Sequence, residues 1–302
     1  LKQVSAMGNG SCCERAGGAE VTAAPEHVVP DPVATEPCVP EPESEPYEPE
    51  AEDDIDDACP PVLLDRHEVE LASGSRYRGQ WRGNQMHGQG ILTMADGGRY
   101  EGAFEASVAH GHGTFTEVNG SVYEGQWALD QKHGIGTFVY IDGTTYKGEW
   151  ERDAKSGAGQ ERWADGAHYK GEFLRGFKHG SGAYSAGAGV LYEGQFRHDR
   201  FEGEGRYRFA NGRTYVGQWQ SGHMSGHGRT EFPDGSTYEG SYQEDIQHGE
   251  GTFRWPQGRT YQGQWSSGKQ EGFGVMIDGD GELRGRWAHG EYLGEVSRES
   301  LA

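Results

Sequence analysis

Tyrosine recurs at a fixed interval of 23 residues along most of this chain, at Tyr77, Tyr100, Tyr123, Tyr146, Tyr169, Tyr192, Tyr215, Tyr238 and Tyr261. Two residues after each comes a glycine, from Gly79 to Gly263, and two further on an aromatic ring: Trp81, Phe104, Trp127, Trp150, Phe173, Phe196, Trp219, Tyr242 and Trp265. A Gly-x-Gly pair follows, as in Gly88/Gly90, Gly134/Gly136 and Gly249/Gly251. Nine units of one length must each meet their neighbours in the same way. The fold is therefore a linear array whose stability is largely a sum of contacts between adjacent units.

Inside a unit, Tyr-x-Gly-x-Trp has a period of two, which puts its marked residues on one face of a β-strand. Gly134, Gly136 and Phe138 repeat that spacing in a second strand. Asp96-Gly97, Asn119-Gly120, Asp142-Gly143, Asp165-Gly166, Asn211-Gly212 and Asp234-Gly235 lie between units. Such dipeptides predict hairpin turns in which both central residues take φ > 0. Each unit thus reads as two antiparallel strands joined by one short and one longer turn. Glycine weakens a strand unless its missing side chain is used, and here the bare backbone is expected to receive aromatic rings from adjacent strands. Val69 and Leu71 before the first unit, and Leu283 to Trp287 after the ninth, read as half-units at the ends. The predicted fold class is all-β: an elongated single-layer antiparallel sheet of about nine 23-residue hairpins. At about 4.8 Å per strand it would extend roughly 85 Å before twist.

Composition divides the chain. Residues 1–65 hold 10 of the 12 prolines, all four cysteines and no Trp, with 2 basic against 16 acidic residues, or −14. A Pro/Glu-rich stretch of this kind cannot bury enough apolar surface to offset its chain entropy, so a disordered acidic tail is expected. Residues 66–294 form the repeat body and 295–302 a short C-terminal tail; from residue 66 onward the chain carries 25 basic and 32 acidic residues, or −7, and all eight Trp. No run of 18 apolar residues predicts a membrane-spanning helix, and no secretory leader is visible. Cys12, Cys13, Cys38 and Cys59 all precede the body, so no disulfide framework is expected there, which suits a cytoplasmic setting.

The Tyr-x-Gly-x-Trp…His-Gly-x-Gly-x-Phe pattern at this period resembles the MORN (membrane occupation and recognition nexus) repeat over about residues 76–288. The resemblance implies a single-layer β-array used for scaffolding and protein association, in several relatives near membranes or in ciliary and cytoskeletal structures. Relatives also attach such arrays to a lipid kinase, a methyltransferase or an exchange factor; no attached catalytic domain is expected in this chain. Four units depart from the pattern, with Ser156, Glu202, Ser225 and Glu271 where others have histidine.

The recurring His87, His110, His133, His179 and His248 have the chemistry of metal ligands, but neither cysteine nor a fixed carboxylate accompanies them. A turn-stabilising or packing role is the expectation, with no metal and no cofactor. A phosphoinositide comb would need one repeated basic column. The residue after each tyrosine is instead mixed (Arg78, Glu101, Glu124, Lys147 and so on), and the one before each aromatic is polar (Gln80, Gln126, Gln195), so direct phosphoinositide binding is expected to be weak or absent. The negative charge likewise disfavours nucleic acid. No Ser/His/Asp or Cys/His set points to catalysis.

Two features point to partners. A single-layer sheet leaves a face uncovered, so the aromatic row Tyr123, Trp127, Tyr146, Trp150, Tyr169, Phe173, Tyr215, Trp219, Tyr261 and Trp265 is the core and also the candidate strip for protein partners. Residues 7–13 read Met-Gly-Asn-Gly-Ser-Cys-Cys; with Met7 as the start, Gly8 is a myristoylation candidate and Cys12 and Cys13 are palmitoylation candidates. Two acyl chains anchor stably where one binds reversibly. The leading expectation is a non-enzymatic cytoplasmic scaffold for proteins of unknown identity, held near a membrane face by acyl chains. Its alternatives are a ciliary or cytoskeletal component without membrane contact, and a regulatory segment of a phosphatidylinositol phosphate kinase whose catalytic domain is missing. Open sheet ends would also suit a homodimer.

Overall fold

The computed structural model describes residues 62–295; Gly8, Cys12, Cys13 and the acidic segment lie outside the described residues. Among those described, there is no helix, and 21 strands form one open antiparallel sheet. Every strand pairs with its neighbours in sequence. Unit three shows the pattern, with strands Val122–Ala128 and Gln131–Val139, the first pairing back to Val108–Thr116 and the second forward to Thr145–Glu151. Leu64–Glu70 caps one end and Gly281–Ala288 with Glu291–Gly294 the other, where the sequence placed half-units.

The tyrosine ring lies along the sheet rather than standing off it. Gly125 and Gly136 are Cα partners, and a Cβ on Gly136 would fall 2.4 Å from Tyr123 Oη. A Cβ on Gly125 would meet the Gly136 Cα at 2.5 Å. The glycine pair therefore brings two backbones together and gives the ring a floor. Tyr123 Oη donates to the Gln126 carbonyl at 2.9 Å, and all nine repeat tyrosines make this bond to the carbonyl three residues on, at 2.8–3.0 Å. A phenol without its acceptor would leave a buried polar group unsatisfied, a cost of about 1–3 kcal/mol.

Each tyrosine also joins two units. Tyr123 packs edge-on against Trp127 of its own unit and Trp150 of the next, both at 5.2 Å between ring centroids. This ladder runs from Tyr77 to Tyr261 and closes on Trp287 of the terminal half-unit. Trp127 and Trp150 add a second link, donating from Nε1 to the Gly113 and Gly136 carbonyls of the preceding unit.

Turn chemistry differs from the sequence reading. In the Asp-Gly connections only the glycine takes a left-handed φ, +86° at Gly143; Asp142 Oδ1 instead accepts the Thr144 N–H at 2.8 Å. Those are the longer turns, built on a Tyr140-to-Gly143 backbone bond with glycine finishing the reversal. The two-residue turns lie at the opposite end of the hairpins, and there non-glycine residues adopt φ > 0 in succession: Leu129 at 51° and Asp130 at 64°, Arg152 at 49° and Asp153 at 65°. Stacking offsets the strain. Asp130 N–H donates to the Ala109 carbonyl of the previous unit and Asp130 Oδ1 accepts the Ala109 N–H at 2.6 Å, an arrangement repeated by Asp153 on Lys132, Asp199 on Lys178 and Asp245 on Met224.

Leu129 is 75 % exposed, so its side chain contributes little packing while its backbone sits in a conformation that L-residues avoid. Leu129→Asn is expected to raise stability by about 1 kcal/mol. Urea unfolding followed by tryptophan fluorescence would check this.

Candidate functional site

The aromatic row proposed from sequence is core. Tyr123, Tyr146, Tyr169, Tyr215 and Tyr261 are fully buried, and Trp127, Trp150, Phe173, Trp219 and Trp265 are buried as well. A single layer can bury them because the tyrosine rings lie flat over glycine backbone and the neighbouring rings close around them. Side chains from the second strand add a lid: Lys132 Nζ sits 4.7 Å from the Phe138 ring centroid and 5.5 Å from that of Trp150. These ten residues therefore offer a partner no surface.

The accessible rings on that face lie further along the second strand, towards the longer turns. Phe115, Tyr140, Trp163, Tyr184, Phe209, Phe232, Phe253 and Trp255 are partly buried and pack on the core from outside. They continue from unit to unit, as in Trp163–Tyr184 and Phe232–Phe253, both at 5.9 Å. Cations dress the ribbon: Lys178 sits 4.9 Å from the Trp163 ring, Arg213 3.7 Å from Phe209 and Arg259 4.4 Å from Trp255. Two units interrupt the apolar line, one of them with Thr230 between Tyr207 and Phe253. Where neighbouring units hold Phe138 and Tyr184, unit four holds buried Glu161, paired with Lys155.

One residue of the histidine column supports a turn. His87 Nδ1 accepts the Ala106 N–H at 3.4 Å, at the head of the next unit's two-residue turn. Glu202 and Glu271 accept the corresponding N–H groups of Ser221 and His289 at 2.9 and 3.0 Å. In these three units the position supplies an acceptor to the next turn. Among the described residues no three His, Cys, Asp or Glu side chains converge as a metal site.

The polar column before the aromatics, weighed above as a phosphate comb, fixes the backbone instead. In unit seven the second strand takes a four-residue step, Met224 to Gly228, to pass a two-residue step from Gly217 to Trp219. Gly226 takes φ +69° in this bulge, and Gln218 Oε1 accepts the His227 N–H at 2.9 Å. Gln126, Glu149 and Glu172 do the same for Ile135, Ala158 and Ser181. The signal was visible as a near-invariant Gln/Glu column, but its partner is a backbone group that spacing does not reveal.

Burial dominates the electrostatics. It pushes the hydroxyls of Tyr77, Tyr123 and Tyr261 up to about 12 from an ordinary 10. Burial likewise depresses the Lys132 ammonium, partly countered by Asp153 and Glu117.

The family profile of the MORN repeat matches nine consecutive stretches: 77–99, 100–122, 123–145, 146–168, 169–189, 192–212, 215–237, 238–258 and 261–282. The chain belongs to the MORN repeat family. Comparison with curated protein sequences yields no match. Among solved structures, the MORN array is similar to the TCP10 domain of Danio rerio CPAP at 11% identity and a TM-score of 0.37, covering 66% of this chain and 94% of that one. The Drosophila melanogaster SAS-4 (dCPAP) TCP domain, in complex with a proline-rich motif of Ana2, scores 0.27 at 10% identity, with 66% and 90% covered. A Staphylococcus aureus virginiamycin B lyase scores 0.15 at 7% identity, with 73% and 83% covered. None of these likenesses bears on function. The MORN array is itself a non-catalytic repeat architecture, and no helix among its described residues is long and apolar enough to cross a membrane.

The tyrosine shifts fix an alkaline limit. A hydroxyl whose pKa rises on folding contributes stability that is complete below pH 10, the unfolded value, and lost as pH climbs through about 12. Tyrosinate absorbance is expected to appear in this window together with loss of the β-sheet circular dichroism signal. Full titration near pH 10 with the sheet intact would contradict the burial.

Proposed function

We propose that this MORN protein is a non-enzymatic scaffold that holds protein partners along the half-buried aromatic ribbon of its array. The observation carrying this reading is the recurrence of half-buried rings from unit to unit, from Phe115 to Trp255, on one face of the sheet. Contiguous apolar surface of that length on a soluble fold is retained at a solubility cost, and rings backed by a rigid core lose little entropy when covered. The cations over Trp163, Phe209 and Trp255 add hydrogen-bond donors beside the apolar contacts. The open edges of Leu64–Glu70 and Glu291–Gly294 would serve a second copy. In the same reading, acyl chains at Gly8, Cys12 and Cys13 hold the scaffold at a cytoplasmic membrane face; the support is the sequence motif alone.

The test compares Tyr140→Ser/Trp163→Ser with the control Val216→Ser, which lies on the opposite face and is 51 % exposed. Proximity labelling in cells should lose partners with the ribbon variant and keep them with the control, while both retain the wild-type circular dichroism spectrum. An unchanged partner set with the ribbon variant would refute the reading. Gly8→Ala with Cys12→Ser and Cys13→Ser should move the protein from the membrane to the soluble fraction without altering the ribbon's partners.

A further inference from the structure

The hairpin ends opposite the ribbon pair residues that are neither both apolar nor alike in charge, as in Arg82/Gln85, Glu151/Ala154 and Gln220/His223, with two adjacent exceptions. In unit five the paired residues are Leu174 and Phe177, 45 % and 47 % exposed. In unit six they are Arg197 and Arg200, directly opposite each other and both exposed. Like charges facing across a strand pair destabilise it, and none of the ion pairs among the described residues includes either arginine. Of the nearby carboxylates, Asp199 accepts the Lys178 N–H and lies 3.4 Å from Lys178 Nζ, and Glu202 accepts the Ser221 N–H.

The two exceptions share one surface. A cleft of about 450 Å³ is lined by Leu174, His179, Phe196, Arg197, His198 and Glu202, and a second of about 270 Å³ by Arg197, His198, Arg200 and Glu202. His198 bridges them, its ring 5.8 Å from Phe177 and 5.7 Å from His179. Nδ1 of His179 has no hydrogen-bond partner, although the equivalent Nδ1 of His87 accepts a turn N–H. An apolar knob, two guanidinium groups outside any ion pair and a cleft between them are thus gathered at two adjacent hairpin ends.

We propose that this surface binds an acidic peptide segment of a protein partner, one that sets a large apolar side chain against Leu174 and Phe177 and its carboxylates on Arg197 and Arg200. Guanidinium–carboxylate pairing would give each arginine the direct ion pair it lacks within the array. A short peptide fits better than an anionic membrane surface, because Glu151 holds the position one unit beyond Leu174 and Glu193 shares a face with Arg197. The site is separate from the aromatic ribbon and does not depend on it.

The probes are two fluorescein-labelled peptides, Gly-Asp-Asp-Leu-Phe-Asp-Asp-Gly and its counterpart with lysine at every aspartate, titrated by anisotropy against the full chain. The acidic peptide is expected to bind saturably and the lysine peptide not. Arg197→Glu/Arg200→Glu should weaken the acidic peptide about tenfold or more, as loss of charge-assisted bonds does, and should gain the lysine peptide. Leu174→Ser/Phe177→Ser should weaken the acidic peptide while leaving the thermal midpoint unchanged. Removing the charges with Arg197→Ser/Arg200→Ser should leave that midpoint at or above wild type; a fall would make the pair structural and overturn the proposal. So would acidic-peptide binding indifferent to these substitutions, no binding of either peptide, or arginine-dependent binding confined to phosphatidylserine vesicles.

Discussion

The whole array depends on one contact: a tyrosine ring lying on the backbone of a glycine pair with its hydroxyl bonded to the carbonyl three residues on. Gly125 and Gly136 approach so closely that neither can carry a Cβ, and Tyr123 occupies the surface they leave. The ring then presents both edges to flanking aromatics, one in its own unit and one in the next. Intra-unit folding and inter-unit stacking are in this way one interaction. The hydroxyl makes the position specific to tyrosine, because phenylalanine would fill the space but leave the bulge carbonyl without its donor.

That contact also decides which surface is left for partners. Because the tyrosine lies flat, the rings that spacing marks most strongly are spent on the core. The half-buried ring ribbon follows from the same geometry: once the tyrosine and tryptophan columns close, the next same-facing positions towards the longer turn can only be covered from outside. Unit-to-unit variation sits at these positions. Glu161 with Lys155 in one unit, and Thr230 bonded to Tyr242 Oη at 2.6 Å in another, replace rings with polar groups that satisfy each other. Such substitutions leave the array standing and change what a partner would meet along it.

Much of this was legible in the sequence. The period gave the number of hairpins, the strand faces and the capping half-units, since an unbroken 23-residue spacing admits only one pairing scheme. What escaped were features whose partner is backbone. Leu129-Asp130 carries no turn signature, and its left-handed conformations persist because Asp130 bonds the previous unit through both its N–H and its carboxylate. The Asp-Gly dipeptides marked turns correctly but of another type. Gln126 looked like a surface residue, yet it caps the bulge at Ile135. Alternation marks the aromatic row as core but does not give its exposure, because it tells which face a ring takes, not whether it stands up or lies down.

The most direct test of the central contact is Gly136→Ala, followed by hydrogen exchange resolved along the chain. The φ of Gly136 lies outside the left-handed region, so the added methyl acts through its clash with Tyr123 and not through backbone strain. The account predicts loss of amide protection across units three and four, with unit eight near its wild-type level. Protection unchanged in unit three, or lost uniformly through all nine units, would contradict it.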